Sequence, residues 1–127
     1  MATITPTVVP LSSSAVKVLW EAITHADSGG STGLDEGPLR GDLSGFPDKT
    51  VSAAGTFAGG LSLALEGSND GTNWFACHSL GGSVAAGNAI AFTAAGSAVV
   101  AQNARFYRVT RTSGSASDVD VVMACAT

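Results

Sequence analysis

Leu61–Trp74 reads LSLALEGSNDGTNW, and it is answered further along the chain by ARFYRVTRT at Ala104–Thr112. Leu61, Leu63 and Leu65 alternate with Ser62, Ala64 and Glu66. That is the period-two pattern of a half-buried strand. The alternation breaks at Gly67 into Ser68-Asn69-Asp70-Gly71, residues that tolerate positive φ or hydrogen-bond their own backbone. A second apolar run resumes at Trp74, so the stretch reads as a β-hairpin, with Asn69, Asp70 and Gly71 as its structural turn. No nucleophile–base pair, metal-ligand spacing or phosphate loop lies beside it.

Working outward, short strands are expected at Lys49–Phe57, Leu61–Glu66, Trp74–Leu80, Ala89–Thr93, Ala98–Val100, Phe106–Thr112 and Val119–Ala126. Gly59-Gly60, Asp70-Gly71, Gly81-Gly82, Gly96 and Ser113-Gly114-Ser115 punctuate them. In the last strand Val119, Val121, Met123 and Cys125 share one face, with Asp118, Asp120 and Val122 on the other. Ala15–Ile23 could pass for a helix, but its alternation of Val16, Val18 and Trp20 with Lys17 and Leu19, and its lack of caps, favour a strand. The whole predicts an all-β, single-domain antiparallel β-sandwich of jelly-roll type.

Two segments interrupt this regularity. Residues 1–14 read as an extended N-terminal arm or an edge strand, because Pro6 and Pro10 cannot donate to a ladder. Residues 15–127 form the sandwich domain. Within it residues 24–49, rich in glycine and without periodicity, predict a long loop. Leu34, Leu39, Leu43 and Phe46 punctuate that loop and are expected to pack on its own sheet or on a neighbour.

Composition bounds the function. The chain has 127 residues, enough for one core, and is 45% hydrophobic but only 13% charged, against about 25% in ordinary soluble domains. So little surface charge suits a domain that completes its burial against a partner, as a dimer or trimer or in a larger assembly. Net charge is −4 and the six Lys and Arg are scattered, so the clustered cations of a nucleic-acid surface are missing. No apolar run approaches the about 18 residues of a membrane span. The first residues show no secretory pattern.

Candidate chemistry is sparse. Asn69, Asp70 and Asn73 offer oxygens in the manner of a calcium loop, without the remaining acidic positions or the terminal Glu of an EF-hand; a plain turn is the simpler reading. His25 and Asp27 lack a third group. Cys77 and His78 are adjacent on a strand and so face opposite ways. Arg40-Gly41-Asp42 matches a short adhesive tripeptide that recurs by chance. Cys77 and Cys125, without CxxC spacing, read as buried thiols, with a bridge between them left open. Trp20, Trp74 and Tyr107 read as core and turn-capping aromatics; Trp20 or Trp74, if exposed, could instead stack on a sugar. These readings predict no enzyme, no metal and no cofactor.

The Trp-bearing strand Val18-Leu19-Trp20, the segment Ala26-Asp27-Ser28-Gly29-Gly30, the run DKTVSAAGTFAGGLSLALEGSNDGTNW, the aromatic–Arg strand and the closing DVDVVMACAT together resemble head decoration (cement) proteins of tailed bacteriophages. The likeness spans about residues 15–126. It is sharpest at Gly55-Thr56-Phe57 and at Glu66–Trp74, although discoidin-type jelly rolls share the S-N-D-G-x-x-W element. The three arginines Arg105, Arg108 and Arg111, with no proline after the aromatic strand, depart from the family pattern. The resemblance implies a virion protein on the capsid exterior, assembled in the host cytoplasm, whose partner is the major capsid protein. Ile4, Pro6 and Val8 in the arm and Leu34, Leu39, Leu43 and Phe46 in the loop are the expected contacts with capsid or neighbouring subunit. The alternative is a carbohydrate-binding β-sandwich module of a phage tail or adhesin.

Overall fold

The computed structural model of the protein describes residues 6–23, 34–38, 42–57, 60–113 and 118–127, with backbone alone at 22–23, 34–38 and 112–113. The described residues are all-β and form eleven strands. They are β1 (Thr7–Ser12), β2 (Ala15–Ile23), β3 (Leu34–Pro38), β4 (Asp48–Thr56), β5 (Ser62–Ser68), β6 (Trp74–Ala76), β7 (Ser79–Gly82), β8 (Ala91–Phe92), β9 (Gly96–Val100), β10 (Phe106–Ser113) and β11 (Asp118–Ala126). One sheet has six strands in the order β1-β2-β11-β4-β9-β7. The other has the order β3-β10-β5-β6, with β8 pairing the far part of β5. All pairings are antiparallel. The two sheets pack as a β-sandwich.

Alternation decides the core. The period-two residues of β11, Val119, Val121, Met123 and Cys125, are all buried, while Asp118 and Asp120 are exposed. Cross-strand register carries the same face sideways. Trp20 lies opposite Val121, Val121 opposite Ala53, and Ala53 opposite Gly96. This row falls from the largest side chain to none, and the indole at its head is fully buried. The next row is Val18, Met123, Val51 and Ala98. From the second sheet Leu63 and Leu65 of β5, Phe92 of β8 and Tyr107 and Val109 of β10 complete the core. Gly67 is required where β5 is crossed closely: a Cβ there would lie 2.9 Å from Ala104 Cβ and 3.2 Å from Cys77 Sγ.

Three local expectations are corrected. The expected single strand Trp74–Leu80 is two, because the chain changes sheets at Cys77–His78. Cys77 still holds the five-stranded sheet, its N–H donating to Leu65 O and its carbonyl accepting from Ile90 N–H; Ser79 pairs with Val100 of the other sheet. The loop expected at 24–49 contains β3, paired with β10 between Leu34 and Arg111 and between Pro38 and Arg108. Its LDEGP sequence has no alternation, and among the described residues β10 is the strand that pairs with it. Of the two readings of the N-terminal residues, arm or edge strand, residues 7–12 take the edge strand and not the arm: β1 pairs with β2 through a turn at Ser13–Ser14 and forms the sheet's edge, the position that tolerates Pro10.

Trp20→Ala should cost about 3–5 kcal/mol in denaturant unfolding, since the row around it offers no side chain to fill the cavity. Leu80→Ala, at a position 62% exposed, should stay within about 0.5 kcal/mol of the parent.

Candidate functional site

The turn between β5 and β6 is closed by one carboxylate. Asp70 Oδ1 accepts from Thr72 N–H and Asn73 N–H, both at 2.8 Å, and from the Ser68 hydroxyl at 3.0 Å. Asp70 Oδ2 accepts from Asn73 Nδ2 at 2.7 Å. Ser68 Oγ in turn accepts from Gly71 N–H at 2.8 Å, and Gly71 sits at φ +77°. The hydrogen bonds from Asn73 and Thr72 hold the Asp70 carboxyl well below its ordinary 3.8. Its oxygens are thus directed at the turn's own donors. Among the described residues no group of three or more metal-ligating side chains converges.

Trp74 leaves this turn half-buried on the outer face of the second sheet. The Arg108 guanidinium lies 4.4 Å from its ring centroid and donates through Nε to Glu66 at 2.8 Å. Arg108 and Glu66 are register partners on β10 and β5, so the sheet itself brings them together. Arg105 lies 5.4 Å from the Phe106 centroid and pairs with Asp42 at 3.0 Å. One face of Trp74 is therefore covered by a cation, which leaves a sugar no free stacking surface on that side.

Under the same strands lies a polar knot inside the core. Tyr107 is fully buried; its hydroxyl donates to Gln102 O and accepts from Ala104 N–H, both at 2.8 Å. This corner, a tyrosine reaching back to upstream backbone, fixes the chain's entry into β10. Lys49, at the start of β4, is only 2% exposed, and its Nζ lies 5.3 Å from the Tyr107 centroid. That ammonium donates to Phe46 O and to Asn103 Oδ1, each at 2.5 Å. Cys77 and Cys125 are free and buried. Burial, with a smaller push from Glu66, raises the Cys77 thiol to about 12, and burial also raises Cys125 and Tyr107 and lowers Lys49.

The structure divides the expected contact residues. Ile4 and Leu39 lie outside the described residues, as do His25, Asp27 and Arg40; for Leu34 only the backbone, in β3, is described. Pro6 is half-buried and Val8 is 43% exposed on β1. Leu43 is buried and Phe46 packs against the core, so these two side chains cover their own sheet. Sequence reading missed buried Lys49 and Arg111. Both occupy inward positions of an alternating strand, and that phase was the available signal: Lys49 is in step with Val51 and Ala53, Arg111 with Tyr107 and Val109. His78 is exposed beside buried Cys77, its ring nitrogen 3.3 Å from Gln102 Nε2. No family model matches the chain, and no curated protein or solved structure shows significant similarity to it.

Gly71→Val should destabilise by about 1–2 kcal/mol, because a β-branched side chain is strained at that φ. Added calcium should leave the Tm unaltered, as read by scanning calorimetry with and without chelator.

Stability should also fall in alkali. The folded state keeps the Cys77 proton up to about 12, whereas an unfolded thiol releases it near 9.0. The unfolded chain then binds fewer protons, so stability is complete below pH 9 and declines above it, by up to about 1.4 kcal/mol per pH unit for one such group. Cys125 and Tyr107 act in the same sense. Lys49, lowered when folded, acts in the opposite one below its ordinary 10.5. Denaturant midpoints from pH 7 to 11 should show the decline, with a shallower slope in Cys77→Ala.

Proposed function

We propose that the protein is a structural component of a virion, a cement protein that docks on the outside of a phage head shell and reinforces it. The observation that carries this reading is β1. It is an edge strand, TVVPLS, with no charged residue; all but one of its side chains are exposed, including Val8 at 43% and Leu11 at 59%. Among the described residues nothing pairs with its outer edge, and an edge with apolar side chains and no charged guard is suited to receiving a partner. The proposed partners are the major capsid protein and further copies of this chain, as a dimer or trimer.

Two other features support the reading. The resemblance to phage decoration proteins read from the sequence motifs covers about residues 15–126. Successive strands β2, β3, β4 and β5, and later β9, β10 and β11, alternate between the two sheets, which supports reading the sandwich as a jelly roll, a fold used by capsid proteins. The role asks for no catalytic group. A protein that binds only the assembled shell stabilises it by RT ln(1 + [L]/Kd) per site, about 2.7 kcal/mol at a hundred times Kd. Repeated over a lattice, modest contacts resist internal pressure.

Shells assembled from the major capsid protein encoded alongside this chain, and lacking it, provide the test. The protein should co-sediment with them and raise their thermal disruption temperature; failure to bind would refute the reading. The double variant Val8→Lys, Leu11→Lys should bind at least about tenfold more weakly, equivalent to about 1.4 kcal/mol. Its own Tm should stay within about 2 °C of the parent, because both positions are surface-exposed. A glycan array should show no binding, given the covered face of Trp74; specific sugar binding would favour the carbohydrate-module alternative instead.

A further inference from the structure

Lys49 is a buried primary amine that the proposed docking role does not use. It lies at the start of β4 in the six-stranded sheet, and Asn103 lies just ahead of β10 in the other sheet, 54 residues away in sequence. Lys49 Nζ is 2.5 Å from Asn103 Oδ1. A carbonyl bond adds about 1.2 Å, so Nζ is at most about 3.7 Å from Asn103 Cγ. Reacting atoms in a near-attack arrangement stand about 3–3.5 Å apart with their orbitals aligned; the distance is within reach, and a swing of the Lys49 head from Oδ1 over the face of Cγ supplies the alignment. The Asn103 amide is held in this orientation from its other end, where Nδ2 donates to Ser44 O at 3.0 Å.

The surroundings suit an acyl transfer. The amine is shielded by the Tyr107 ring and the Phe46 carbonyl, and burial lowers its proton affinity. A larger fraction is then the neutral, nucleophilic form. The carboxylates that act on it, Asp42 and Asp48, belong to exposed residues, and Asp42 is engaged with Ser44 and Arg105. Asn103 itself is exposed, so a leaving group released from its Cγ has a path to solvent.

We propose that Lys49 and Asn103 join in an intramolecular isopeptide bond that staples the two sheets together at this end of the sandwich. The Lys49 ammonium gives one proton to water, and its lone pair forms the Nζ–Cγ bond. The Cγ–Nδ2 bond then breaks, and Nδ2 takes a second proton from the attacking nitrogen and departs as ammonia. No atom changes oxidation state and no co-reactant is required. The product closes a long loop covalently, the arrangement in which a cross-link most restricts the unfolded chain.

Mass measurement on the purified, reduced, full-length protein tests this. The linked chain is lighter than its sequence mass by one ammonia, about 17 Da, a covalent change that unfolding does not reverse. Trypsin distinguishes the bond from an imide at an asparagine, which has the same mass. With Lys49 free, cleavage after Arg40, Lys49 and Arg105 yields peptides 41–49 and 50–105; with Lys49 acylated, a single peptide 41–105 survives. Tandem fragmentation should then place the junction at Lys49 and Asn103. Asn103→Ala should restore both full mass and cleavage at Lys49. A wild-type chain of full mass, or a lighter chain still cut at Lys49, would overturn the proposal, and neither result depends on the variant folding.

Discussion

Strand β11 is paired along its length with β2 on one side and β4 on the other, and its register decides which face of the six-stranded sheet is dry. Because side chains alternate, a slip of one residue would exchange Val119, Val121, Met123 and Cys125 for Asp118, Asp120, Val122 and Ala124. Two carboxylates would enter the core and four apolar side chains would leave it. No turn enforces this register directly. It is enforced by the cost of burying unpaired charge and by the complementary rows in β2 and β4. The burial of Trp20 follows from it, since the indole sits opposite Val121 in a row that ends at Ala53 and Gly96.

That same alternation forces a compromise at the row's end. Cys125 lies opposite Lys49, and the inward phase of β4 carries the lysine stem between the sheets. Its head is accommodated by Phe46 O, Asn103 Oδ1 and the Tyr107 ring, all contributed by segments at one end of the sandwich. Tyr107 meanwhile satisfies Gln102 and Ala104. A polar knot of this kind costs desolvation and returns specificity: only one arrangement of the segments before β4 and β10 supplies every partner. Leu43 and Phe46, from the segment just before β4, belong to the same core.

The outer surface follows a different logic. On the five-stranded sheet the Trp74 and Phe106 rings are covered by arginines that are themselves paired with Glu66 and Asp42. These groups satisfy one another locally. On the six-stranded sheet β1 extends the hydrogen-bonded ladder to an edge where its side chains remain exposed. The contrast between a self-satisfied face and an unguarded edge is what gives the docking reading its direction.

The sequence by itself determined the strand class, the hairpin turn at Ser68–Asn73 and the inward faces of β2, β5 and β11, because alternation and turn chemistry are local properties. It also placed Trp20 and Tyr107 in the core and opposed Cys77 to His78. Tertiary structure alone decided the rest. The strand of LDEGP exists because β10 offers it a ladder, and the run from Trp74 to Leu80 divides because its two halves find partners in different sheets. Whether Leu43 and Phe46 faced a neighbour or their own core depended on segments remote in the chain. So did the burial of Lys49, whose acceptors come from Phe46 nearby and Asn103 far away: a lone lysine in an alternating run states its phase, but only the folded chain supplies what its charge must meet.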